Sequence, residues 1–297
     1  MVDTIGLFLR SADNAYQRRL KEVAVQEANR YGFDLVVQSA QFDSSAQVTQ
    51  IREAIKSAAK TNLVAVLVSG VHDRDLAPVA HEAAEAGLDW VLLNEGTFID
   101  EVHRQHPDRA VFAATCDQAE IGRVHARQVR SMLGKGGRVL CVTGHVQNVA
   151  AQLRLAGLKQ GFEDDYQLTE VNADWTSEGA RRAIETWAEG VESRKQLPHV
   201  VVAQNDEMAL GIRQALRDLD SRRRWPIASV PIVGCDGADR FGQRLVREGR
   251  LKATVVMPPG SGVAIEWIAR LRRGGDKPPV RLLLPVTSFP NISRLRH

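Results

Sequence analysis

The chain alternates short β-rich runs with helical patterns, and that alternation restricts it to architectures built on parallel sheets. Thr4-Ile5-Gly6-Leu7-Phe8-Leu9 is an apolar run of strand length. Leu20, Val23, Ala24, Ala28 and Tyr31 follow at the spacing of one helix face, and Gly32 is placed to end that helix. The run 33–37 comes next, then a helix with Val48, Ile51, Ile55 and Ala58 on one face, then the run 63–68. A third helix carries Leu76, Val79, Ala80 and Ala83 before Gly87, and the strand 90–93 closes the set. Parallel neighbours need crossover segments, so three strand–helix pairs and a fourth strand imply a parallel sheet with helices on both faces.

A second set begins with the helix after Asp117 and continues through the strand 138–143, a helix over about 150–162 and a short strand at 170–171. It then runs through the helix 177–189, the strand 199–203, the helix 207–219 and the strand 230–234. A further amphipathic helix spans 265–271, and 280–286 reads as a late strand after Pro278-Pro279. The fold class is therefore α/β, with two doubly wound parallel-sheet lobes. At roughly 100–200 residues per domain, 297 residues fit this division. No linker rich in Pro, Gly or Ser separates the lobes, so the chain is expected to cross between them more than once.

Composition excludes several function classes. The 39 Lys and Arg against 36 Asp and Glu leave a net charge of +3, with no long basic tract, which argues against nucleic-acid binding. The densest cationic runs, Arg222-Arg223-Arg224 and the group Arg270, Arg272 and Arg273, fit helix ends. Cys116, Cys141 and Cys235 are an odd number in apolar surroundings, expected as buried free thiols. No apolar window of about 20 residues predicts a membrane-inserted helix. A nucleophile elbow, a Walker-type loop and a dinucleotide fingerprint are all missing, so no catalytic residues and no cofactor are expected. Gly134, Gly136 and Gly137 precede a strand and read as a turn. His103 and His106 lie before Pro107 in a polar loop without a third ligand, and no metal is assigned to them. His145 follows a strand end and reads as a loop histidine.

Open parallel sheets bind ligands beyond the carboxyl ends of their strands, where this sequence concentrates polar and aromatic side chains. Arg10, Asp13, Asn14, Tyr16 and Gln17 follow the first strand, and Asn94 and Glu95 the fourth. In the second lobe Gln152 and Arg154 open a helix, Trp175 follows a strand, and Asn205, Asp206 and Asp236 follow two more. Amides donate and accept as sugar hydroxyls do, a carboxylate takes two donors at charge-assisted strength, and an aromatic covers the C–H face of a ring. The same positions also suit structural duties: Asp13, Asn14, Asn205 and Asp206 as helix caps, Trp175 as packing, Asp236 as a turn residue.

The strings 203–211 (Ala-Gln-Asn-Asp-Glu-Met-Ala-Leu-Gly) and 233–237 (Val-Gly-Cys-Asp-Gly), with 117–123 and 249–255, resemble the periplasmic sugar-binding proteins of the ribose-binding type. These are type 1 periplasmic binding proteins, related to the effector domains of lactose-repressor-like regulators. The likeness runs from about Ile5 to Pro258. It implies two lobes joined by a three-strand hinge, 1–112 plus 258–279 and 113–257 plus 280–297, closing over a small carbohydrate or polyol without chemistry. Asn14, Tyr16, Asn205, Asp236 and Trp175 match ligand contacts of that group. Asn94-Glu95 stands where ribose binders have Asp-Arg, Gln152 where they have a second-lobe arginine, Met257 where they have a hinge glutamine, and Gln17 in place of a stacking aromatic. Arg10, at a position usually small, is expected to offset the lost guanidiniums or to pair with Glu95.

The resemblance further implies a monomer whose closed form is read by an ABC-type permease or a signalling partner. The expected location is the periplasm if a leader has been removed, and the cytoplasm for the chain as written. Two rival classes are a repressor-like ligand-sensing domain, which needs a helix-turn-helix before Thr4, and a nucleotide-dependent or sugar-modifying enzyme.

Overall fold

The computed structural model describes residues 2–12, 14–162, 166–191, 193–223 and 226–295, so Asp13 and Arg224 lie outside the described residues. The first passage of the chain forms β1 (Thr4–Leu9), α1 (Ala15–Tyr31), β2 (Asp34–Ser39), α2 (Ser44–Thr61), β3 (Leu63–Val68), α3 (Asp73–Glu85), β4 (Asp89–Leu92), α4 (Ile99–Gln105) and β5 (Val111–Cys116). The second forms α5 (Gln118–Leu133), β6 (Gly137–Thr143), α6 (Val149–Phe162), β7 (Tyr166–Asn172), α7 (Ser177–Glu189), β8 (Val200–Ala203), α8 (Asp206–Arg223), β9 (Ile232–Asp236), α9 (Arg244–Arg247) and β10 (Ala253–Val256). The chain then builds α10 (Gly260–Arg272) and β11 (Arg281–Leu284), and ends with β12 (Thr287–Phe289).

These elements form two compact units, Met1–Cys116 with Pro258–Leu284 and Asp117–Met257 with Pro285–His297, so the chain passes between them three times. Each unit holds one six-stranded sheet. The first has the order β11-β5-β4-β3-β1-β2, the second β12-β10-β9-β8-β6-β7. Every pairing is parallel except the antiparallel β10–β12. The central strands β1 and β5 are buried at every position, as a sheet covered on both faces requires. In the first unit one face packs a core containing Leu7, Leu20, Phe112 and Ile265, the other a core containing Phe8, Ile51, Val79 and Trp90. The second unit repeats the plan, with Val201, Met208 and Ile212 on one side and Val139, Leu158 and Val233 on the other. The order reverses between β1 and β3 and between β6 and β8, the switch points where open sheets of this kind take ligands.

Several expected boundaries move for identifiable reasons. The cut expected after 112 falls inside β5, and the cut after 279 falls before β11, which pairs with β5. Strand pairing therefore carries 113–116 and 280–284 into the first unit. Of the run 280–286 only Arg281–Leu284 forms a strand, β11; after Pro285 the chain enters β12, beyond the run, which joins the other sheet. The short strand expected at 170–171 extends to the seven residues of β7; it is an edge strand with exposed positions, so its apolar pattern is weak. His103 sits in α4 instead of a loop, its Nδ1 3.0 Å from the Val111 carbonyl oxygen. The three cysteines are free and buried.

Helix ends follow local chemistry. Asn14 Oδ1 accepts from Gln17 N at 2.9 Å to cap α1, which ends at Gly32 with φ 79°. The side chains of Asp117 and Thr176 cap α5 and α7. α5 and α6 cross closely: a Cβ on Gly157 would lie 1.9 Å from the Ala119 carbonyl oxygen. That approach fixes the face of α6 that turns inward, and with it Arg154.

Candidate functional site

In the first unit Arg10, Gln17 and Asn94 meet around the end of β3. Gln17 Nε2 donates to Ser69 Oγ at 3.0 Å, and Arg10 Nε donates to the same oxygen at 3.4 Å. Asn94 Oδ1 accepts from Gly70 N at 2.6 Å, while Asn94 Nδ2 donates to the Glu95 carbonyl at 2.9 Å. Asn94 therefore braces the loop after β3. Asn14 serves as a cap, as the structural alternative foresaw. Burial raises the Asp73 carboxyl above its ordinary range, an effect opposed by the Arg10 charge and by a hydrogen bond to Asn94. Glu95 Oε1 accepts from Thr115 Oγ1 at 3.4 Å. Tyr16 is half-buried and packs against the core that includes Leu20.

In the second unit, Trp175, Asn205, Asp236 and Met257 gather at the ends of β7, β8, β9 and β10. Trp175 adopts φ 71° and Asp236 φ 93°, two of only five non-glycine residues with positive φ among those described. For a side chain as bulky as tryptophan this conformation is strained and persists only where surroundings enforce it, a pattern that concentrates at binding and active sites. The enforcers are visible. Asn205 Nδ2 donates to the Trp175 carbonyl at 3.0 Å, and its Oδ1 accepts from Met208 N at 2.8 Å to cap α8. Gly144 leaves room for the indole, since a Cβ there would meet the ring at 2.0 Å. The indole Nε1 is buried without a partner.

Gln152 does not join this group. It is exposed, and its Nε2 bonds the Val146 carbonyl of its own loop at 2.9 Å. Arg154, two residues on, takes the interior instead, although the resemblance matches Gln152 and not Arg154 to a ligand contact. It is 6% exposed and stands 5.4 Å from the Trp175 ring centroid. Its Nε donates to Gln118 Oε1 at 2.8 Å, Nη1 to the Gln204 carbonyl, and Nη2 to Met257 Sδ at 3.2 Å. Met257 Sδ also lies 3.4 Å from the Cys235 thiol. α6 carries apolar residues all round, so its pattern does not announce which face is buried.

Beneath Asp236 lies Asp206, fully buried, accepting from Thr254 Oγ1 at 2.7 Å and from Gly237 N at 2.8 Å. Burial, reinforced by the neighbouring Asp236 charge, raises its carboxyl well above the usual range. His125 on α5 packs behind β9, its Nε2 2.9 Å from the Gly234 carbonyl. Burial pushes this imidazole down to about 4 from 6.5. A depressed imidazole stabilises the fold at neutral pH, and its contribution is lost as pH falls from about 6.5 towards about 4. Asp206, being raised, contributes with the opposite sign, favouring the fold at low pH and fading as pH rises. The histidine is isolated by comparing wild type with His125→Gln, which keeps a donor for Gly234. The melting temperature of wild type is expected to fall relative to the variant between pH 7 and pH 4.5; parallel curves would deny His125 this role.

Each of the two α/β units carries a polar cluster at the carboxyl ends of its strands, and among the described residues no group of three or more His, Cys, Asp or Glu side chains could hold a metal ion. Residues 5–275 match the model of the periplasmic binding protein domain, and the chain belongs to that family. It is a binding protein, not an enzyme. Among similar proteins, the ribose import binding protein RbsB of Haemophilus influenzae is 26% identical over 257 residues, covering 86% of this chain and 80% of the relative. A solute-binding protein from Actinobacillus succinogenes solved with D-allose superposes with a TM-score of 0.82 at 19% identity, covering 99% of both chains. The arabinose-binding component from Shewanella sp. ANA-3, bound to L-arabinofuranose, gives 0.82 at 21% identity over 96% of this chain and 91% of that one.

Proposed function

We propose that this chain binds one small uncharged carbohydrate or polyol, which engages the strand-end clusters of both units, and presents it to an ABC-type importer. The observation that carries the reading is the second-unit cluster. Trp175, its backbone strained and its indole N–H unspent, is bonded to Asn205 and stands beside the buried Arg154 guanidinium, which reaches Met257, whose N–H bonds the Asp236 carbonyl; the cluster supplies a stacking face and charge-assisted acceptors for hydroxyls. The relatives named for sugar import support it, and the resemblance supplies the expectation that both lobes contact the ligand. In this reading the protein works as a monomer in the periplasm, and ligand shifts the population towards a closed form through its differential affinity for the two states. Among the described residues no helix is long and apolar enough to cross a membrane.

A thermal-shift screen against pentoses, hexoses, polyols and their phosphates tests the proposal. A ligand at about 100 times its Kd adds about 2.7 kcal/mol, so a clear rise in melting temperature is expected with at least one neutral member. A screen in which only charged or non-hydroxylated compounds shift the transition would refute it.

A further inference from the structure

Two side chains at the β1/β3 switch point carry hydrogen-bonding capacity that the fold leaves unspent. Gln17 is 2% exposed and Ser69 is 1% exposed. A hydroxyl has two acceptor lone pairs and one hydrogen. The Ser69 oxygen receives donors from Gln17 Nε2 and Arg10 Nε, which take both lone pairs and leave its hydrogen to be given elsewhere. Gln17 Oε1 is buried with no partner. A buried acceptor left unpaired costs stability, and a fold keeps one where something else satisfies it.

The surroundings hold this pair in place. Gln47 Nε2 donates to the Ser69 carbonyl at 3.1 Å, and Gln47 Oε1 accepts from Val71 N at 2.9 Å. Asn94 fixes the intervening Gly70 N at 2.6 Å. On the other side, Gln17 stands in the first turn of α1, its own N–H bonded to the Asn14 cap. Clamped from two elements, the pair cannot relax to satisfy itself and is preorganised for a third group.

We propose that Gln17 and Ser69 read one ligand hydroxyl, which donates its hydrogen to Gln17 Oε1 and accepts one from Ser69 Oγ. Only a group that both donates and accepts completes the pair. A carboxylate or phosphate oxygen brings acceptors alone and leaves Oε1 unpaired, and a deoxy position leaves both unpaired. Ser69, which no strand-end pattern singled out, thereby becomes a specificity-determining residue. The inference rests on the proposed carbohydrate function and adds which chemical feature of the ligand the first unit demands.

The test uses the intact chain and calorimetric titration with the tightest-binding member of a panel of pentoses, hexoses, inositols and alditols, followed by its monodeoxy analogues. One analogue is expected to bind wild type at least about a hundredfold more weakly than the parent, since sites built around a hydroxyl reject its absence strongly. Gln17→Leu and Ser69→Ala are expected to bind parent and that analogue within about threefold of each other. Gln17→Leu should melt near the wild-type temperature, because removing a buried unpaired acceptor offsets the lost bond to Ser69. A packing role predicts a lower melting temperature and uniformly weaker binding of all analogues. Wild type that binds the parent while both variants retain wild-type affinity and discrimination would overturn the hydroxyl reading alone. Wild type that binds no member of the panel would overturn the carbohydrate proposal and this inference with it.

Discussion

Trp175→Ala is expected to weaken carbohydrate binding more than a hundredfold while leaving the second unit folded. The indole is held in a conformation that its own backbone disfavours, φ 71°, with Asn205 bonded to its carbonyl and the ring over Gly144. Truncating a central aromatic contact typically costs about 3 kcal/mol of binding, which corresponds to more than a hundredfold in Kd. The folded state loses the ring's packing against the core around Met208 but sheds some of the tryptophan's backbone strain, roughly 1–3 kcal/mol at such positions. Affinity should therefore collapse with only a small change in melting temperature. Trp175→Phe keeps a ring face but removes the unpaired Nε1–H, and an intermediate loss is expected from it. Calorimetric titration of the three proteins checks both points. An alanine variant that binds as wild type does would remove the indole from the site.

The second large effect is on stability. Arg154→Met is expected to destabilise the second unit by about 3 kcal/mol, because it removes buried charge-assisted bonds to Gln118 Oε1 and to the Gln204 carbonyl. For a unit of this size the change corresponds to roughly 6–12 °C in melting temperature. Arg154→Lys should rescue little. An ammonium on a flexible stem cannot address an amide, a carbonyl and a thioether at once, as the planar fork does. Thermal unfolding followed by circular dichroism measures this, and a lysine variant as stable as wild type would show that the charge, not the fork, is what the site needs.

Much of the fold was legible because its central strands are buried on both faces and therefore read as unbroken apolar runs. Legibility faded where that physics weakens. The edge strand β7 alternates with exposed polar residues, and the late apolar run gives up its strand at Pro285, after which a separate short strand, β12, joins the other sheet. The candidate site was legible to the level of strand ends. Asn205, Asp236, Trp175 and Met257 do assemble, as do Arg10, Gln17 and Asn94 in their own unit. The division of labour within each cluster was not. Asn14, Asn94 and Asn205 spend their amides on caps and loop bonds, and an amide's partner is decided by distances that a sequence does not hold. The exchange of Gln152 for Arg154 has a similar origin. Two residues on a helix are about 200° apart, so one must face outward, and an evenly apolar helix gives no sign of which.

The proposed function requires a single ligand to engage both strand-end clusters. Hydrogen–deuterium exchange of the intact chain, with and without saturating ligand, measures this directly. Slowed exchange is expected at the amides of Gly70 and Val71 in the first unit and of Gly144 and Gly237 in the second, all at the same ligand concentration. Slowing confined to one unit, or spread evenly over both without focus on these amides, would contradict it.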